Sequence, residues 1–399
     1  MERTLRENNS ENVNLQFKLL SAIGIIIIVS GHCYHGGISL AYEWFPTYSF
    51  NLALLVFISG YFYKPKHEEH FLKYIGKRAK RLVIPAYLWN IVYGLFVLFM
   101  SNFGYTIGAE VNAYNLFLMP FVDGEAFLYN LGSWFVYPLF CVCVFNVLFR
   151  RLLRLVKLDN EYLITIIYLA VGIIGIQLSI DNATTGIKGL LLLLLRTMFF
   201  LPCFQFGRLY KAKLEQHDKL NSIAYFAIIF GVQLIILTFF KDLEYTPSKC
   251  SGFDNGFIVP YLTAITGIAF WLRVSKLLTP IIKNWKFIRL IGDNTYSIMI
   301  HQMIGYMCVK WVFYLVSVLT PLFADFNINS LKTSIWYYYL PNGLQQYGML
   351  YLAGGIFVPI LIKKICDLLL KLFKNAASHF KAIKSQNNAT ENLLENNNV

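Results

Sequence analysis

The chain has 399 residues, of which 57% are hydrophobic and only 14% charged, with a formal net charge of +13. Soluble domains carry about 25% charged residues, so a water-soluble enzyme is excluded, as are disorder, collagen and a nucleic-acid-binding domain as whole-chain readings. What remains is a polytopic membrane protein whose basic residues report its orientation.

The first segment, 1–17, is polar (MERTLRENNSENVNLQ…) and has no short apolar stretch of the signal-peptide kind, so it reads as a cytosolic tail. A membrane-crossing helix needs about 20 mainly apolar residues. That rule gives about ten spans, at approximately 18–37, 46–63, 82–101, 129–149, 161–180, 187–208, 220–240, 256–275, 289–314 and 345–370. Apolar residues run all the way round these segments and do not alternate, which argues against a β-barrel. Helices satisfy their own backbone in lipid and are the default. The expected fold class is therefore all-α, a polytopic transmembrane helical bundle over 18–370. The segment 371–399 is Asn-rich and is expected to be a disordered cytosolic tail.

The connections alternate in charge. Residues 38–45 contain no Lys or Arg, whereas 64–81 hold Lys64, Lys66, Lys73, Lys77, Arg78, Lys80 and Arg81; from 82 to 149 there are none. Arg150, Arg151, Arg154 and Lys157 follow, then Arg208, Lys211, Lys213 and Lys219. Further on come Arg273, Lys276, Lys283, Lys286 and Arg289, and last Lys363, Lys364, Lys371, Lys374, Lys381 and Lys384. Counting Arg3, Arg6 and Lys18, 29 of the 35 basic residues fall on one side. Both termini are thus expected in the cytosol. Seven cysteines form no CxxC pair and read as small buried hydrophobes, so neither a metal site nor a disulfide framework is expected.

Polar groups at membrane depth are expensive and are the first candidates for function. His32 lies fourteen residues after Lys18, roughly 21 Å up the first span. His301 lies twelve residues after Arg289, roughly 18 Å up the ninth. Each alone reads equally as a packed histidine; two at one depth favour function if their spans face each other. Arg196, inside LLLLLLRTMFFLP, must pair with something anionic or line a wet cavity. It is either a structural partner or an anchor for a phosphate or a developing oxyanion. Arg78 and Arg81 share a helical face at the inner mouth of the third span. They serve topology, or clamp an anionic cofactor.

Several segments, in order, resemble the acyltransferase-3 family of integral membrane O-acyltransferases, which decorate bacterial surface glycans. IGIIIIVSGH, ending at His32, is similar to the span that carries the family's catalytic histidine. LLVFISGYFY holds Ser59, Gly60 and Tyr61 as in the family's Ser-Gly-Tyr run, and KRAKRLVIP resembles its Arg-x-x-Arg followed by Leu and Pro. SWFVYPLF around Trp134, RTMFFLPCFQFGRL from Arg196, and IGDNTYSIMIHQ with His301 resemble three further family segments. Together they cover roughly 18–370. One position departs: the family often has a basic residue eleven positions before the histidine, where this chain has Ser21. Lys18, one turn earlier on the same face, is placed to substitute.

The resemblance implies a bacterial inner (plasma) membrane enzyme that uses acyl-CoA, expected to be acetyl-CoA, to modify a hydroxyl of a glycan or lipid-linked sugar. Membrane lipid and other glycan-synthesis proteins are expected neighbours; nucleic acid and metal are not. His32 is expected to act as general base or to take the acyl group itself, and Arg196 is the candidate to steady the thioester oxyanion. Lys18, Arg78 and Arg81 are expected to bind the donor, and His301, Trp134, Ser59 and Tyr61 to line the substrate path. Trp336, Tyr337, Tyr338 and Tyr339 read first as an interfacial belt and second as a sugar-stacking surface. The rival reading is a non-catalytic polysaccharide-export or transport component on the same scaffold.

Overall fold

The computed structural model describes residues 2–34, 37–41, 44–282 and 284–396, apart from the side chains of 2–14, 377 and 379–396. Arg3, Arg6, Lys381 and Lys384 therefore lie outside the described side chains, and Lys283 outside the described residues. The chain is all-α: among the described residues there is no strand, only an isolated bridge of Thr246 with Ser251. Among the described residues, eight helices are long and apolar enough to cross a membrane.

The main helices are α1 (Glu2–His32), α2 (Thr47–Tyr61), α3 (Phe71–Ser101), α4 (Leu131–Leu155), α5 (Glu161–Asp181) and α6 (Gly189–His217). They continue as α7 (Ser222–Phe239), α8 (Val259–Ile282), the short α9 (Lys286–Asp293), α10 (Thr295–Leu319) and α11 (Gly348–Asn396). α2 has 15 residues, about 22 Å of rise, and is shorter than the 46–63 segment expected. α1 ends at His32 rather than at residue 37. The ninth expected segment is broken at Asn294 into α9 and α10, because Gly292, Asp293 and Asn294 are poor helix formers. The described parts of both polar tails continue α1 and α11. Adding residues to a helix already nucleated by the bundle costs little.

α1 is central. It packs against α2, α8, α9, α10 and α11, whereas α7 is peripheral, apolar all round and only 11% buried. α2 crosses α6 with almost no gap: a Cβ on Gly60 would meet the carbonyl of Phe204, and one on Gly207 the carbonyl of Phe57. Small residues of this kind let membrane helices approach backbone to backbone. α3 contains a π-turn at Ala79–Val83, where the Ile84 N–H donates to the Ala79 carbonyl. Pro85 explains it, since a proline ring clashes with the carbonyl four residues back and offers no N–H.

The end of the bundle opposite His32 is held by a buried ionic network. Arg150 of α4 forks onto both Glu161 oxygens at 3.2 and 2.7 Å and reaches Gln205 at 2.6 Å and Asn146 at 3.0 Å. Arg208 adds a second cation to Glu161 at 2.9 Å. Arg151 donates to the Glu68 carbonyl at 3.1 Å and Arg154 pairs with the Glu68 carboxylate at 2.6 Å. Cations read from the sequence as markers of orientation also bind α4, α5, α6 and the 64–70 connection together.

Removing one partner of such a network strands a buried charge. Glu161→Ala is expected to cost about 3–5 kcal/mol, read by thermal denaturation in detergent. The triple variant Arg150→Met/Glu161→Leu/Arg208→Met, which leaves neither cation stranded, is expected to recover most of that loss.

Candidate active site

A helix leaves its last four carbonyls without intrahelical partners, and within a bilayer no water is at hand to take them. At the end of α1 all four are satisfied. Tyr306 of α10 donates to Val29 O at 2.8 Å, the Ile38 N–H to Ser30 O at 2.8 Å, Tyr48 of α2 to Gly31 O at 2.7 Å, and Tyr338 to His32 O at 2.5 Å. The turn that returns Ile38 needs Gly37 at φ +65°, where a side chain would be strained and would press on Gly31. The turn that carries His32 is thereby held from four sides, the histidine's own carbonyl by Tyr338, and its Nδ1 is left without a hydrogen-bond partner. The Gln302 side chain stands within hydrogen-bonding reach of the ring. Tyr48 and Trp336 lie 5.8 and 6.2 Å from it between ring centroids.

His32 lines a cavity of about 510 Å³, within the ~300–1,000 Å³ common for small-molecule sites. Its walls come from the ends of α1, α2, α4 and α10 and from three connections, contributing Glu125, residues 244–249, and Trp336 with Tyr338. The described walls mix aromatic faces with Asn51, Gln302, Glu125, Glu244 and Lys249.

Two buried cations hold those connections down. Arg196 of α6 is 1% exposed, and its guanidinium lies over the Trp134 ring at 4.7 Å. Nε donates to Ser248 O and Nη1 to Asp123 O, both at 2.9 Å, and Nη2 also donates to Ser248 O. The Asp123 carboxylate in turn accepts from the Gly189 N–H at 2.6 Å and seats the start of α6. On the other side Lys310 of α10, fully buried, donates to Ile335 O at 2.5 Å and lies 4.6 Å from the Tyr338 ring centroid. Each cation reaches from its helix to the connection and uses backbone carbonyls as its counter-charge.

The residues named from sequence fall into three groups. His32 and Trp134 line the cavity together. Arg196 stands behind the wall, with donors on all three nitrogens directed at backbone carbonyls rather than at the cavity; this is the structural-partner alternative. His301, Ser59 and Tyr61 are not in the lining. Successive residues step 100° round a helix, so Met299 and Gln302 face His32 while His301 turns to α3, bonding Tyr93 at 2.7 Å with Trp89 4.2 Å away. Ser59 and Tyr61 are eleven or more residues beyond Tyr48, roughly 16 Å or more down α2. Tyr61 stacks on Phe17 at 3.5 Å and donates to Glu215 at 2.6 Å.

Lys18, Arg78 and Arg81 lie at that opposite end. Lys18 pairs with Asp293 at 2.8 Å, and three residues on, Tyr296 donates to Leu82 O at 2.7 Å, so the Lys18 and Arg81 segments meet around the start of α10. Arg78 donates to Tyr74 at 3.2 Å, and Arg81 is exposed. Sequence reasoning missed Gln302, Tyr48, Glu125, Glu244 and Lys310. Of these only Lys310 carried a signal, a single cation in YMCVKWVF.

If Arg196 holds the wall, Arg196→Ala loosens the segments it bonds. Amide hydrogen exchange across 244–249 is expected to rise about tenfold, the equivalent of losing ~1.4 kcal/mol of charged hydrogen bonding, with exchange at 335–339 unchanged. Lys310→Met is expected to do the reverse.

The chain matches the acyltransferase-3 family model, described as an acyltransferase domain, over residues 14–364. No curated protein and no solved structure matches it. The match spans most of the chain and takes in every helix that builds the His32 cavity. This integral membrane protein therefore belongs to the acyltransferase-3 family.

Proposed function

We propose that the protein transfers an acyl group, acetyl, from acyl-CoA at the Arg78/Arg81 end to a hydroxyl of a cell-surface or exported glycan in the His32 cavity. The membrane is the bacterial plasma membrane, and both termini face the cytosol. The single observation that carries this reading is His32, on a helix turn held from four sides, in a polar, aromatic-walled cavity with Nδ1 unpartnered. Such a nitrogen is available to a substrate proton.

In the reaction His32 takes the proton of the acceptor hydroxyl as that oxygen attacks the thioester carbonyl. The C–S bond breaks, and the CoA thiolate leaves with the proton His32 has accepted. Gln302 orients the imidazole. Arg196 is a positioning residue that keeps Trp134 and the 244–249 segment in the wall. Exposed Arg81 and the neighbouring Arg78 attract the CoA phosphates, for which cationic side chains on a helix mouth are suited.

His32→Ala is expected to abolish acyl transfer, read by mass spectrometry of surface glycans from cells with and without the variant, at unchanged membrane expression. Normal modification would reject His32 as the base and favour an export role. Arg78→Ala/Arg81→Ala is expected to raise the donor KM about tenfold, about 1.4 kcal/mol, with little change in kcat. An unchanged donor KM would remove the clamp from the mechanism.

A further inference from the structure

Two carboxylates stand in the wall of the His32 cavity, and they keep different company. Burial pushes the Glu125 carboxyl up, while Arg196 and Lys249 nearby pull it down. Glu244 is only half-covered and stays exposed at the cavity, where burial pushes its carboxyl up less against solvent; among the described residues its side chain has no ion-pair partner. The aromatic walls divide in the same way. The faces of Trp134 and Tyr338 are already occupied by Arg196 and Lys310. Tyr48 and Trp336, the two rings nearest the imidazole, carry no protein cation among the described residues. Glu244 lines the same cavity as Tyr48 and Trp336. One cavity therefore contains the imidazole, a carboxylate with no ion-pair partner among the described residues, and two rings with no protein cation over them.

That combination favours a positive charge. A cation gains from the carboxylate and from the negative faces of the rings, whereas an anionic group there meets a carboxylate with no counter-ion. We propose that the acceptor carries an ammonium group, as in an unacetylated amino sugar, bound by Glu244 with Tyr48 and Trp336 while a neighbouring hydroxyl faces His32. This rests on the acyltransferase reading and specifies its acceptor.

The test uses the full-length protein in detergent, at a pH between those at which the carboxyl and the sugar amine titrate. Intrinsic tryptophan fluorescence is titrated with tetramers of glucosamine, N-acetylglucosamine and glucuronate. The glucosamine tetramer is expected to bind about fivefold more tightly than the N-acetylated one, about 1 kcal/mol, and glucuronate most weakly. In Glu244→Gln the first two are expected to bind alike, and in the wild type the difference shrinks at high salt. Equal binding of the charged and neutral tetramers by the wild type, no binding of either, or a preference that survives Glu244→Gln would overturn the assignment. Acetyl-CoA hydrolysis that His32→Ala removes is measured on the same preparation. Its absence rejects the acyltransferase reading, whereas its presence with equal tetramer binding rejects only the ammonium site.

Discussion

The structure of the site depends on how the last turn of α1 disposes of its carbonyls. Four acceptors at a helix end inside a bilayer cannot be left to water. Here three tyrosine hydroxyls and one returning backbone amide take them, from α10, α2, the 335–339 connection and the turn after α1. The same bonds fix the position of His32 without using its ring. The imidazole keeps Nδ1 for a substrate, with Gln302 at hand to orient the ring. Backbone satisfaction and chemical availability are therefore one solution.

Arg196 and Lys310 extend that logic to the walls. A cation deep in an apolar helix is costly unless the protein supplies acceptors, and both take theirs from carbonyls of the connections above them while lying against an aromatic ring. Interior helices thus determine where Glu125, Glu244, Trp336 and Tyr338 stand. Segments that would otherwise be surface loops become walls of a chamber, with the order a binding site needs.

The opposite end solves a different problem. Arg150, Glu161, Gln205 and Arg208 bind α4, α5 and α6 together, and the Gly60 and Gly207 contacts seat α2 on α6. With α2 held there, its Tyr48 end is held as well, roughly 20 Å away. Packing at the basic end and geometry at the His32 end are coupled through rigid helices.

The membrane class, the helical fold, most spans and the candidacy of His32 were legible in the sequence, because length and hydropathy act along the chain and need no neighbours. The family segments were legible for the same reason. The break at Asn294 and the short α2 were less so, since both are settled by what the helices pack against. His301 shows the limit most clearly: its depth on the chain matched that of His32, but a 100° step round α10 turned it to Trp89 and Tyr93 and gave the cavity to Gln302. Arg196 was visible as a costly charge, yet its partners are carbonyls 52 and 73 residues distant, and a backbone carbonyl leaves no mark on sequence. Glu125 and Glu244 looked like ordinary loop acids until the bundle closed. Hydrophobicity and spacing therefore determined which segments form helices, while the facing of those helices, a property of packing alone, decided which of their polar residues share the cavity with His32.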